Sequence, residues 1–215
     1  MIRKSLPIAL FSLSLLFTSC LPQISVKAGN GDEATIFFST GFSDLTAKTL
    51  QTLTGADPNA PLFNKDDVIA VLNSAGAKNT SASLPKPTEI AATGLLPSLS
   101  EHQISMAGLV TKTEKSLTVT IGPKQITTFY DFLSEDAKSY LDLMMIPALL
   151  GEKMTAAEYR ELLASMYGPT FADEIVEGKL TINLSSPDGK RKLKETVTLG
   201  ELLTAEKEYS WKIDF

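Results

Sequence analysis

Residues 134–177 narrow the fold more than any other part of the chain, because their helix punctuation is dense. Thr155-Ala-Ala-Glu158 has the spacing of a capping box. In that motif the threonine hydroxyl and the glutamate carboxylate satisfy N–H groups that the first turn leaves open. The helix it starts, AAEYRELLASMY, stops at Gly168-Pro169, a pair that ends helices. Tyr159, Leu162, Leu163 and Met166 recur at three- and four-residue spacing, which predicts one buried stripe. Upstream, Ser134 caps a helix predicted to run to about Leu150, with an interruption at Pro147. Downstream, a short helix over 171–177 closes at Gly178.

The flanks have a period of two instead. Residues 24–28 and 34–39 read as strands joined by a type I′ turn at Asn30-Gly31. Residues 42–54 read as a helix with Ser43 or Asp44 as cap and Gly55 as stop. Residues 64–74 read as another, capped by Asn64, with Asp66 and Asp67 in its first turn and Gly76 closing it. Residues 104–111 and 115–121 suggest a hairpin whose second strand points Leu117, Val119 and Ile121 inward. Residues 180–185 and 192–199 suggest another, turning at Ser186-Pro187-Asp188-Gly189. The expected class is α+β, with antiparallel strands in the N- and C-terminal parts and a helical central segment over about 134–177. Residues 77–101 hold three prolines and many small polar residues, and read as a long loop and an internal boundary.

The first residues carry a different signal. Arg3 and Lys4 precede an apolar run over 6–17, the order found in a secretory signal peptide. Twelve helical residues rise only about 18 Å, short of a hydrocarbon core of about 30 Å. Phe17-Thr18-Ser19-Cys20 resembles the lipobox of bacterial lipoproteins, with Phe17 where leucine is usual. The resemblance implies a signal peptide at 1–19 and a mature chain, 20–215, that begins with Cys20 carrying diacylglycerol and often an N-acyl chain such as palmitate. Leu21, where aspartate would imply retention in the inner membrane, implies the outer membrane. At about 0.8 kcal/mol per buried methylene, two or three acyl chains anchor stably.

Composition limits the chemistry. Cys20 is the only cysteine, so no intrachain disulfide forms, and an acylated Cys20 leaves no thiolate. The formal charge is −5, and removing 1–19 takes away two bases and no acid. Such a balance argues against nucleic-acid binding. His102 is the only histidine and no G-x-S-x-G accompanies it, which excludes the common serine triads and His/Cys zinc sites. No phosphate-cradling glycine loop is present. Asp66-Asp67, Glu135-Asp136 and Asp173-Glu174 with Glu177 are acidic clusters, but most fall in first turns that favour acids anyway. No catalytic residue, cofactor or metal ligand is assigned.

Two stretches have both a structural and a functional reading. YLDLMMIPALLG, 140–151, reads as a core helix; its alternative is a pocket wall in which Met144 and Met145 adapt to apolar ligands. KRKLK, 190–194, reads as an edge strand protected by lysines; its alternative is contact with an anionic membrane surface. The expected function is a lipid-anchored, cell-envelope protein with a non-enzymatic binding or structural role, meeting the membrane through its N-terminal lipid. A hydrolase or small-molecule binder using carboxylates in 77–101 or near Asp131 is the alternative. The closing YSWKIDF alternation also resembles the last strand of an outer-membrane β-barrel. About seven strand segments and several capped helices leave too little chain for the eight strands a barrel needs.

Overall fold

The computed structural model of the chain describes residues 22–101 and 108–215, so Cys20 and His102 lie outside the described residues. Strands β1 (Gln23–Ala28) and β2 (Ala34–Gly41) lead into α1 (Asp44–Thr54) and α2 (Lys65–Ser74). Then come β3 (Lys78–Ser83), β4 (Glu89–Leu96), β5 (Val110–Lys112) and β6 (Ser116–Ile121). Five helices fill the centre: α3 (Pro123–Asp131), α4 (Glu135–Leu143), α5 (Pro147–Leu150), α6 (Ala156–Tyr167) and α7 (Pro169–Glu177). β7 (Lys179–Ser185), β8 (Lys192–Thr198), α8 (Leu199–Leu203) and β9 (Tyr209–Asp214) complete the chain. The class is α+β.

Six strands form one sheet in the order β3-β4-β2-β1-β7-β8, and three form a second in the order β5-β6-β9. Both sheets of the described residues are open, so the chain is not a barrel. All pairings are antiparallel except β1 with β7, where Ile24 meets Ile182 and Val26 meets Leu184 in parallel register. A parallel pair needs a long crossover, and here almost the whole chain supplies it. Strands at the two ends of the sequence thus lie side by side.

Alternation along the strands gives the large sheet two unlike faces. Val26, Ala28, Ala34, Ala92, Leu96, Leu180, Ile182 and Leu184 are buried on one of them, against Val110, Leu117, Val119, Ile121 and Ile213 of the small sheet. A second core joins the helices through Ala47, Leu50, Met144, Tyr159, Leu163, Phe171 and Ile175.

The capping signals translate directly. Ser43 Oγ accepts from the Thr46 N–H, Asn64 Oδ1 from Asp66 and Ser134 Oγ from Ala137. Both halves of the Thr155–Glu158 box are present. Gly55 ends α1 at φ 71°, a left-handed turn that glycine adopts at no steric cost.

Several expectations are corrected. Residues 77–101 are not a long loop: they hold β3, β4 and a short 3-10 turn over Leu99–Glu101. Pro85 and Pro87 fall in the connection between the strands, where no ladder donor is needed. Gly94 is where the β3 side approaches: a Cβ there would lie 3.0 Å from Ala77 Cβ and 3.2 Å from Thr80 Cγ2. The β1–β2 connection spans residues 29–33, because Ala28 and Ala34 are the last pair. Neither Asn30 nor Gly31 takes a positive φ, so the type I′ turn is not formed. The helix from Ser134 breaks before Pro147, at Met145, whose φ of 46° stops α4. Met166 leaves the expected stripe and is 49% exposed. Residue 199 belongs to α8, opened by a second capping box at Thr198 and Glu201, rather than to a strand.

Candidate functional site

The feature best suited to function is a cavity of about 710 Å³ between the large sheet and the helices. Its floor is the covered face of the sheet: Phe38 and Thr40 of β2 with Ile90 of β4. Ile90 and Thr40 are cross-strand partners, as are Ala92 and Phe38, so the register lines these side chains up. One wall is α1 with the segment after it, through Leu50, Thr54, Leu62 and Phe63; Val68 of α2 adjoins. The facing wall comes from Phe129 and Leu133, at the end of α3, and from Tyr140, Leu141 and Met144.

The walls are held in place by hydrogen bonds and ring packing. The Gln51 amide donates to the Ala60 carbonyl at 2.8 Å, and the Leu62 N–H donates to the Pro87 carbonyl at 2.8 Å. Phe42 and Phe63 stack with ring centres 6.2 Å apart. On the opposite side, Tyr159 Oη donates to the Met144 carbonyl at 2.7 Å, and Tyr167 Oη donates to the Leu143 carbonyl at 2.8 Å. These two carbonyls belong to the last turn of α4, which has no partners of its own there. Burial, with a smaller effect from Tyr167, pushes the Tyr159 phenol well above its usual range, which keeps it a donor.

Polar groups are few. Thr54 Oγ1 donates to the Leu50 carbonyl at 2.9 Å and lies 3.4 Å from Tyr140 Oη. Asp67 stands at the rim, half-buried. An apolar cavity of this size with a handful of polar groups matches small-molecule sites generally.

Met144 serves in both of its readings, packing in the helical core and lining the cavity, whereas Met145 does not line it. The acidic clusters do not come together. Asp66 and Asp67 open α2, while Glu135 opens α4 and bonds Lys138 at 3.0 Å. Asp173 accepts from Arg160 Nε at 2.6 Å, and Glu174 binds the start of α1. Asp131 is exposed at the end of α3. Among the described residues no three His, Cys, Asp or Glu side chains gather as a metal cluster. Lys192 and Lys194 do lie on an edge strand, β8. The cavity floor of Phe38, Thr40 and Ile90 has no signal in the sequence, because it is made by the pairing of β2 with β4.

Compared with known families the chain matches no family model, and no curated protein matches it.

Proposed function

We propose that the protein is a lipid-anchored, non-enzymatic binding protein of the bacterial cell envelope, held by Cys20, whose cavity takes a small apolar molecule. The observation that carries the binding role is the cavity of about 710 Å³, floored by Phe38 and Ile90 and walled by Leu50, Phe129, Tyr140 and Met144. Apolar surface of this kind binds by the same transfer free energy that builds cores, about 25 cal/mol per Å² removed from water. The acidic clusters lie on different helices, an arrangement that does not favour the facing carboxylate pair of a glycosidase-type hydrolase. The anchoring rests on Phe17-Thr18-Ser19-Cys20, and Leu21 favours the outer membrane.

Two measurements test the two halves. Full-length protein and a Cys20→Ser variant are expressed in a bacterium, then compared by detergent-phase partitioning and by the mass of the N-terminal peptide. Acyl mass and detergent partitioning in the wild type alone support the anchor; two soluble, unacylated chains refute it. For the cavity, a dansylated fatty acid is titrated against wild type and Phe129→Ala. Phe129 is 48% exposed, so its truncation spares the fold. The expected loss of affinity is about tenfold, the equivalent of ~1.4 kcal/mol of apolar contact. Equal affinity, or none in the wild type, refutes the binding role.

A further inference from the structure

The second face of the large sheet has no partner among the described residues. Phe37, Ala91 and Leu95 lie on it, and none of them joins either core cluster. The rest of it is polar. Ser25 pairs across β1 and β7 with Asn183, whose amide donates to Ser25 Oγ at 3.2 Å, and Gln23 donates to the same oxygen at 3.0 Å.

Charge is distributed unevenly over this face. The strand register gives one row running the full width of the sheet: Lys78, Leu95, Thr35, Lys27, Ser185, Lys192. Residues directly opposite share a face, so the three lysines of the row project on the same side. Lys194, opposite Asn183, stands one step along β8, and Lys179 lies at the other end of β7. All five lysines are exposed, and none forms an ion pair among the described residues. Of the two acids within the sheet's paired strands, Glu195 lies opposite Ile182 on the other face, and Glu89, on this face, is buried and bonded to Lys86 at 2.6 Å. This happens on a chain whose formal charge is −5. The two neighbouring bases of the KRKLK stretch are used differently: Lys190 lies 3.8 Å from Asp188, and Arg191 donates to the Asp214 carbonyl at 3.1 Å.

We propose that this open face docks on an anionic phospholipid surface through Lys27, Lys78, Lys192 and Lys194. Strands lie about 4.8 Å apart, so neighbouring lysines of the row are separated by roughly 10 to 14 Å. Lys194 and Lys179 lie off the row along β8 and β7 and spread the charge in a second dimension, which suits a plane of mobile headgroups. A single polymer strand calls instead for a groove that follows its backbone and platforms for its rings. Phe37, half-buried at the centre of the face, adds an apolar contact at headgroup level. The face also begins close to Cys20 in the chain, since β1 starts at Gln23.

The test uses the full chain with Cys20→Ser throughout, so that no acyl chain contributes. Binding is measured by cosedimentation with phosphatidylcholine vesicles, with and without phosphatidylglycerol. The ratio of the two partition coefficients isolates the electrostatic part, because the apolar run at 6–17 meets both vesicles. Each lysine near an anionic surface contributes about fivefold. Lys192→Gln with Lys194→Gln should therefore lower the ratio about thirtyfold, while Lys48→Gln with Lys65→Gln on the helical side leaves it near the wild-type value. A ratio insensitive to the β8 pair overturns the proposal, and so does an equal fall in both pairs, which reports net charge alone. Lysine-dependent retention on heparin without vesicle binding overturns it as well, since the occupant is then a polyanionic polymer.

Discussion

Glu174 reaches back 131 residues to cap α1 together with Ser43: its Oε1 accepts the Ser43 N–H at 2.6 Å and its Oε2 accepts the Ser43 hydroxyl at 2.5 Å. The same Oε2 accepts from Thr46, which is fully buried. A carboxylate at a helix N-terminus is favoured by the macrodipole and fills open N–H groups. Here it also ties the wall of the cavity to α7. Glu174→Ala is expected to cost about 1 to 2 kcal/mol, read as a drop in Tm of about 2 to 8 °C. Unchanged thermal unfolding would show that Ser43 caps α1 alone.

Tyr159 makes the complementary tie on the other wall. Tyr159→Phe keeps the ring and removes the donor, leaving the Met144 carbonyl buried without it. The expected cost is about 1 to 3 kcal/mol. Because Met144 lines the cavity, affinity for the dansylated fatty acid should fall in the same variant. A variant that loses stability and keeps full affinity would show that the α4 end holds its place without this bond.

Acid should weaken the fold through its two capping boxes. Glu158 accepts from the Thr155 N–H and hydroxyl, each at 2.8 Å, which hold its pKa below the usual 4.5. Glu201 is lowered likewise, first by the Thr198 hydroxyl at 2.6 Å and then by the Thr198 N–H at 3.1 Å. A depressed folded pKa means that the unfolded chain takes up the proton first. The contribution is complete above the unfolded value and is lost as pH falls through the folded one. Tm should therefore decline on acidification below about pH 4.5, and Glu158→Gln with Glu201→Gln should flatten that decline. An identical acid limb in the double variant would place the sensitivity elsewhere, for instance at Asp32, which is lowered by Ser100 and Ser98.

Gly200 sits where α8 meets α7. A Cβ there would lie 2.6 Å from Val176 Cγ1 and 2.9 Å from the Val176 carbonyl oxygen, so backbone must move to admit it. Gly200→Ala is expected to destabilise by about 1 to 3 kcal/mol through overpacking. Chemical denaturation measures it, and a neutral result would mean that α8 shifts away at little cost.

What could be read along the chain is what depends on neighbours in sequence. Ser43, Asn64, Ser134 and Thr155 cap their helices because each hydroxyl or amide reaches only two or three residues ahead. The strand alternation at Leu117, Val119 and Ile121 is equally local. The tertiary structure decided the rest. β4 reads as a loop because its glutamate, alanines and glycine carry weak strand preference, and it becomes a strand between β2 and β3 because its partners supply the hydrogen bonds. The cavity unites β2, β4, α1 and α4, and the lysine face unites β1, β3, β7 and β8. Both depend on which strands lie side by side: the cavity floor on β2 with β4, and the lysine face above all on the parallel pairing of β1 with β7. That pairing is chosen by burying one face of both strands at once, and no window of sequence contains both of them.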